Sequence, residues 1–98
     1  MERFVEFEIH EYMDMYPEKG VRTFIGETEE EIETTAKAWA ENMNKNYSGG
    51  TTRIIKVMSS EEARAYLDAE IAKIKNPDDG DKEWIEKVNS LYTSCYIN

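Results

Sequence analysis

An alternation of apolar and polar residues marks the first strand of the chain, from Phe4 to Tyr12. Val5, Phe7 and Ile9 share one side of such a strand, which we call the odd face, and all three are apolar. The opposite side, which we call the even face, mixes aromatic, acidic and histidine side chains: Phe4, Glu6, Glu8, His10 and Tyr12. The alternation predicts a half-buried strand whose odd face belongs to the core.

Two further strands are predicted from short segments rich in β-branched residues. Residues 13–20 are typical of a hairpin loop and lead into a strand over residues 21–25. Residues 51–58 predict a third strand after a pair of glycines. Strict alternation along this third strand places Ile55 and Val57 on the core side and Ile54 on the other side.

Three helices are predicted from capping residues and apolar spacing. Thr28 and Glu31 form a capping signature that opens a helix to about Asn46. The apolar stripe of that helix comprises Ile32, Ala36, Trp39, Ala40 and Met43. A second capping signature at 59–62 opens a helix to about Lys75, and Asp81 is the predicted cap of a third helix to about Tyr92. Residues 93–98 are expected to fray or to add an edge strand.

The order ββαβαα predicts an α+β fold in which the first strand lies in the centre of the sheet. A right-handed crossover from the second strand over the first helix places the third strand beside the first. The expected sheet is therefore three-stranded and antiparallel, in the order 2-1-3, with helices packed on at least one face. Residues 1–98 are few enough to predict a single compact domain. Periodicity leaves open whether the two later helices join the first or cover the even face.

The charge of the chain is strongly acidic and unevenly distributed. The net charge is −9, and residues 1–33 carry 11 acidic and 3 basic residues, a net charge of −8. Such a chain is not expected to bind a phosphate backbone or an anionic membrane, and it favours a basic protein surface as partner. A single cysteine, no signal-peptide pattern and no long apolar run predict a cytoplasmic protein.

No catalytic, metal-binding or cofactor-binding motif is recognisable in the sequence. Glu6 and Glu8 lie two residues apart on a strand, which is weaker evidence for paired catalytic acids than for a solvated face with cross-strand partners such as Arg22 or Lys56. His10 is the only histidine, so a zinc site of the usual His/Cys type is not expected. We therefore predict that the chain is not an enzyme and needs no cofactor.

One surface is the remaining candidate for function. The even face carries Phe4, Glu6, Glu8, His10 and Tyr12, and Phe24 and Ile54 are expected alongside it. The neighbouring acidic segment, defined as residues 27–33, adds Glu27 and Glu30. Aromatic residues ringed by carboxylates are typical of a docking face for a basic partner. The alternative is that the C-terminal helices cover this face.

Two functional hypotheses follow from these observations. The first is a non-catalytic acidic interaction protein that binds a basic surface of a macromolecular partner. In size, acidity and lack of motifs the chain resembles phage-type inhibitors that occupy the phosphate site of a nucleic-acid-handling or defence system. The second is a homo-oligomeric binder of a small-molecule or nucleotide-derived ligand, with its pocket at a subunit interface and with Arg22, Arg53, Lys56 and the aromatic residues as its contacts.

Overall fold

The structure is a computed structural model that describes residues 1–11, 16–46 and 50–96. Its elements are β1 (Glu2–Glu11), β2 (Glu18–Ile25), α1 (Glu29–Asn46), β3 (Gly50–Val57), α2 (Ser60–Ala72) and α3 (Asp79–Tyr96). The strands form one antiparallel sheet in the order β2-β1-β3. The predicted α+β class, element order and central first strand are therefore confirmed.

The chain divides into two compact units, Met1–Val57 and Met58–Asn98. The first unit contains the sheet and α1, and the second contains α2 and α3. The assignment of residues 1–98 to one domain stays a prediction. Every residue predicted to contact a partner belongs to the first unit.

The core of the first unit lies between the odd face of the sheet and α1. Val5 of β1 packs with Ile32 and Ala36 of α1, and all three side chains are fully shielded from solvent. Trp39, one turn further along α1, packs edge-on against Phe7, with ring centroids 5.1 Å apart. The odd face therefore contributes to the core, as the alternation along β1 predicts, and α1 covers it.

The start of α1 agrees with the capping signature in the sequence. The backbone N–H of Glu31 donates to Oγ1 of Thr28 at 3.1 Å, and the backbone N–H of Glu27 donates to Oε2 of Glu31 at 3.1 Å. The N–H of Glu31 lies in the first turn of the helix, where the backbone offers it no partner, and the N–H of Glu27 lies just before the cap. Thr28 is thus the N-cap, and the helix begins at Glu29.

A β-bulge in β3 reverses the expected faces of two isoleucines. Lys56 pairs with Glu6, but the next pair along the sheet is Phe7 with Ile54, so Ile55 has no partner on β1. The unpaired residue shifts the alternation of β3 by one position relative to β1, so each residue before it projects from the face opposite to the one that strict alternation predicts. Ile54 therefore packs against the core, whereas Ile55 is 37% exposed. The predicted placement of Ile55 in the core and of Ile54 on the even face is wrong.

Two glycines allow the strands to approach their neighbours closely. A Cβ atom at Gly20 would lie 2.5 Å from the ring of Phe7, and one at Gly50 would lie 2.5 Å from the carbonyl oxygen of His10. A side chain at either position would displace β1 or its core residues. Gly20 belongs to β2 rather than to the predicted loop, because β2 begins at Glu18.

In the second unit, the start of α2 agrees with its predicted capping signature. The backbone N–H of Glu62 donates to Oγ of Ser59 at 3.2 Å, which identifies Ser59 as the N-cap. The helix ends at Ala72, before the predicted Lys75, because the N–H of Lys73 donates to the carbonyl of Glu70 in a tighter final turn.

The bounds of α3 differ from the prediction at both ends. Asp78, rather than Asp81, caps the helix: the backbone N–H of Asp81 donates to Oδ1 of Asp78 at 2.8 Å, and Oδ2 of Asp81 accepts from the N–H of Asp78 at 3.2 Å. The helix continues to Tyr96, whose hydroxyl donates to the carbonyl of Met58 at 2.9 Å. Residues 93–96 are therefore helical, and the remainder of the predicted tail, 97–98, lies outside the described residues.

Candidate functional site

The even face is less exposed than the sequence pattern suggests. Phe4 retains 7% of its solvent exposure and Glu8 retains 8%, so neither side chain is freely accessible. Glu6 is half-buried, and the side chain of His10 is 50% exposed. The predicted contact Tyr12 lies outside the described residues. The expectation that the side chains of Phe4 and Glu8 are exposed is therefore wrong.

Glu8 is the centre of a small polar network on the even face. Nε2 of His10 donates a hydrogen bond to Oε1 of Glu8, because residues two apart on a strand project from the same face. Arg53 of β3 lies directly opposite Glu8, and its guanidinium approaches Oε2 at 3.5 Å. Both oxygens of this nearly buried carboxylate thus have a partner, which is the arrangement that a buried charge requires.

The network lowers the pKa of the Glu8 carboxyl group. The hydrogen bond from His10 is the largest cause, and the charge and hydrogen bond of Arg53 act in the same direction. Burial opposes them, because it favours the neutral form of a carboxyl group. Because its pKa is lowered, Glu8 remains ionised in the folded chain at pH values below those at which an ordinary glutamate takes up its proton.

The lowered pKa of Glu8 predicts a specific loss of stability in acid. The contribution of Glu8 is complete above its unfolded-state pKa of about 4.3 and is lost as the pH falls through the lower folded-state value. Glu8→Gln removes this titration, so we expect the urea midpoint of the wild type to fall more steeply than that of the variant below about pH 5. Urea unfolding at a series of pH values measures both slopes.

A matched control for this prediction is Glu41→Gln. Glu41 is exposed on α1 and has no ion pair among the described residues. The control variant should follow the wild-type dependence of the urea midpoint on pH. Equal slopes for the wild type and Glu8→Gln would show that the Glu8 network does not contribute to stability as the geometry implies.

The second carboxylate of the even face also lies near cations. Oε1 of Glu6 is 3.9 Å from Nζ of Lys19 on β2, and Lys56 of β3 lies opposite Glu6 in the sheet register. Arg53 of β3 is likewise a cation beside the carboxylate of Glu8. The sheet therefore sets three cationic side chains beside two carboxylates, and its even face is not a surface of net negative charge.

Phe24 and Arg22 lie on the odd face, under α1. Phe24 is opposite Arg3 in the register, is 8% exposed and belongs to the core cluster, so its expected place on the even face is wrong. The guanidinium of Arg22 lies 5.0 Å from the ring centre of Trp39 and 5.6 Å from that of Phe24. Because Arg22 is opposite Val5, it lies on the other side of the sheet from Glu6 and Glu8, and the expectation that it is their cross-strand partner is wrong.

The acidic segment, residues 27–33, is the exposed part of the predicted surface. Its five glutamates are all exposed. Oε1 of Glu29 lies 3.6 Å from Nε of Arg3, and Oε1 of Glu33 lies 3.0 Å from Nζ of Lys37. The three others have no ion pair among the described residues: Glu27, Glu30 and Glu31. Part of this acidity stabilises the positive end of α1.

The structure separates the acidic segment from the Glu8 network. The segment follows directly after Ile25, which pairs with Glu2 at one end of β1. Glu8 is six residues further along β1, a distance of about 20 Å at the rise of a β-strand. The predicted single surface is thus divided into a buried, charge-matched network and an exposed acidic segment.

Two cationic contacts of Glu8 and Glu6 were not expected on the even face from the sequence. Arg53 is directed to the even face by the bulge at Ile55, which no sequence signal announces. Lys19 fell within the predicted loop, although it belongs to β2. No strand signal marks Glu18 and Lys19, because Pro17 and Gly20 flank them and favour a turn.

Other kinds of site receive little support from the described part of the chain. Residues 1–11, 16–46 and 50–96 contain no group of three or more His, Cys, Asp or Glu side chains placed to hold a metal ion. Two cavities between α1 and β3 have volumes of about 220 and 250 Å³. Both are smaller than the roughly 300 to 1,000 Å³ of ordinary ligand pockets. None of the described helices is long and apolar enough to cross a bilayer.

Comparison with protein-family models, with curated proteins and with solved structures gives no significant match for this chain.

Proposed function

We propose that the chain is a non-catalytic interaction protein that binds a basic surface of a macromolecular partner through the acidic segment. The observation that carries the proposal is the exposure of five glutamates within residues 27–33, three of them without an ion pair among the described residues. The exposed carboxylates of Glu27 and Glu30, which have no ion pair among the described residues, are available to an external cation, whereas those of Glu6 and Glu8 already lie beside cations of the chain itself.

Electrostatics gives this segment a role in association. The chain carries a net charge of −9, and its N-terminal third supplies most of it. A concentrated patch of one sign steers an oppositely charged partner toward it and raises the association rate more than the final affinity. The effect extends over about 8 Å at physiological ionic strength, so it depends strongly on salt.

The chemistry of the partner follows from the sign of the patch. A cationic protein surface fits it, and a nucleic acid does not, because phosphates would be repelled. One class of cationic surface is the phosphate-binding site of a nucleic-acid-handling or defence system. A chain that occupied such a site would act as an inhibitor of the phage type by competing with the nucleic acid.

The alternative of a homo-oligomeric ligand binder has weaker support. Its candidate residue Arg22 is stacked on Trp39, and Arg53 is engaged by Glu8. The cavities of about 220 and 250 Å³ are small for a nucleotide-derived ligand. A ligand pocket would therefore have to form between subunits.

Capture with charge-reversed baits tests the proposed function. Wild-type chain and the double variant Glu27→Lys with Glu30→Lys are immobilised and exposed to lysate of the source organism at low and high salt. We expect the wild type to retain a basic protein at low salt and to release it at high salt, and the variant to retain little of it. Mass spectrometry of the retained proteins gives the comparison.

The matched control is Glu83→Lys with Glu86→Lys. These two glutamates are exposed on α3 and have no ion pair among the described residues, so the change in total charge is the same. Asp78 is unsuitable as a control because its side chain caps α3. Loss of the partner by the α3 variant together with retention by the Glu27 and Glu30 variant would contradict the assignment.

A further inference from the structure

The two edge strands of the sheet are protected to different degrees. In the order β2-β1-β3, both β2 and β3 are edges. The side chain of Asn44 closes the outer edge of β3: its Nδ2 donates to the carbonyl of Thr52 at 3.0 Å, and its Oδ1 accepts from the N–H of Thr52 at 2.6 Å. The bulge at Ile55 interrupts the same strand. Both devices hinder pairing with another strand.

The hydrogen-bond pattern identifies which residues of β2 point outward. Met1 and Gly26 exchange two bonds, at 2.9 and 2.6 Å, and so form a bonded pair at the end of the β1–β2 register. Bonded and non-bonded pairs alternate in an antiparallel ladder. The N–H and C=O groups directed away from β1 therefore belong to Lys19, Val21, Thr23 and Ile25.

The pairing of β1 with β3 shows the same alternation of bonded and non-bonded residues. Residues of β1 that bond to β2 cannot also bond to β3, so the residue opposite Ile9 must direct its backbone groups outward. That residue is Thr52, and its N–H and C=O are the groups that Asn44 binds. The two hydrogen bonds of Thr52 therefore support the same alternation along β2.

The outer edge of β2 has no protection comparable to that of β3. No residue of the described chain bonds to the outward backbone groups of 19–25, and β2 contains neither a bulge nor a proline. Lys19 is the only lysine on the strand, and it leans toward Glu6. The strand is eight residues long, and Ile25 at its end is 72% exposed. An edge of this kind is a template for a further strand.

We infer that β2 pairs antiparallel with β2 of a second copy of this chain, about a two-fold axis at Val21. In this register Val21 faces its own counterpart and Lys19 and Thr23 face each other, so these outward residues meet outward residues, whereas Ile25 lies opposite Pro17, just before the start of β2. The ladder then gains about six backbone hydrogen bonds. A continuous six-stranded sheet results, with one α1 from each copy on the same face.

Charge favours a second copy in this register. Glu18 of each copy lies diagonal to Arg22 of the other, where opposite charges attract across strands. A register centred on Arg22 would set two guanidinium groups against each other. The strand itself carries Glu18, Lys19 and Arg22, a net charge of +1 within a chain of net charge −9. The copies therefore meet along a strip that is not acidic.

The remaining negative charge does not oppose this pairing. Ile25 lies four residues from the two-fold axis, and the acidic segment begins two residues beyond it, at Glu27. The acidic segments of the two copies therefore lie at opposite ends of the joined strands. Eight residues of strand separate them by about 26 Å. This exceeds the screening length of about 8 Å at physiological ionic strength, so their mutual repulsion is weak.

Sedimentation velocity of the full chain over a range of concentrations tests the inference. We expect the wild type to form a reversible dimer. Val21→Lys sets two lysines opposite each other at the axis, and it should raise the dissociation constant at least about tenfold. The fold should tolerate the change because Val21 is half-buried and lies opposite Glu6. Circular dichroism checks that the variant remains folded.

Two further variants keep the test decisive. Thr23→Pro removes an outward N–H without removing a bond to β1, and it should weaken the dimer as well. Thr51→Lys places the same charge on the exposed surface of the other edge strand and should leave the dimer unchanged. A wild type that is monomeric at every concentration would overturn the inference. A dimer that persists in folded Val21→Lys or Thr23→Pro would also overturn it.

Discussion

Trp39→Ala should lower the free energy of unfolding by about 3 to 5 kcal/mol, the range measured when a large aromatic side chain is removed from a core. The Trp39 ring makes edge contacts with Phe7 at 5.1 Å and Phe24 at 5.7 Å, and it supports the guanidinium of Arg22. Truncation therefore removes contacts to both β1 and β2. A loss of this size is a large part of the stability of an ordinary small domain.

The control for Trp39→Ala lies one turn further along the same helix. Met43 belongs to the same apolar stripe but is 37% exposed, so Met43→Ala should cost much less. Urea unfolding at one fixed protein concentration compares the two variants, because dimerisation would make stability depend on concentration. Equal losses, or a Trp39→Ala midpoint equal to that of the wild type, would mean that α1 presents a different face to the sheet.

Ile54→Ala should destabilise the fold by about 2 kcal/mol, whereas Ile55→Ala should cost about 1 kcal/mol or less. The substitutions are identical and adjacent, so only the side of the sheet differs. Ile54 packs against the core cluster, and Ile55 is 37% exposed because the bulge leaves it without a partner. Strict alternation along β3 predicts the opposite order.

Chemical denaturation of the two isoleucine variants distinguishes the bulged from the regular strand. A larger loss for Ile55→Ala would show that β3 pairs without a bulge and that Arg53 belongs to the odd face. In that case Glu8 would lose the guanidinium of Arg53, and only His10 would lower the pKa of its carboxyl group. The stability measurement therefore also tests the geometry of the even face.

The sheet topology could be predicted because local and long-range signals agree. The alternation from Val5 to Ile9 identifies one buried face, and the spacing from Ile32 to Trp39 identifies the helix that covers it. The cap at Thr28 fixes where that helix begins. Once the helix connects the second and third strands, the handedness of crossovers leaves few arrangements, and order 2-1-3 is among the simplest.

The faces of β3 and the ends of the later helices were not predictable in the same way. A bulge is set by how β3 meets its neighbours, and the pair Ile54 and Ile55 contains no residue that marks it. Asp78 and Asp81 are both good caps, so the sequence alone does not decide which of them opens α3. Boundaries of this kind depend on tertiary contacts rather than on local propensity.

The candidate site shows the same division. The acidic segment was predictable because five glutamates within seven residues form a concentration of negative charge that is visible in the sequence. The burial of Glu8 was not, because a carboxylate on a strand is ordinarily exposed unless a cation accompanies it. That cation is Arg53, and only the bulge brings it to the even face. The bulge at Ile55 thus places a cation beside Glu8, so the carboxylate of Glu8 is not free to bind a partner as the sequence suggested.

The association rate between the chain and its captured basic partner, measured at increasing ionic strength, tests the central claim most directly. If the acidic segment steers binding, the wild type should associate about tenfold faster than Glu27→Lys with Glu30→Lys at low salt. The two rates should converge as salt screens the charges, with a smaller change in dissociation. Equal rates at low salt, or a difference that persists unchanged at high salt, would contradict the claim that this segment binds a basic surface.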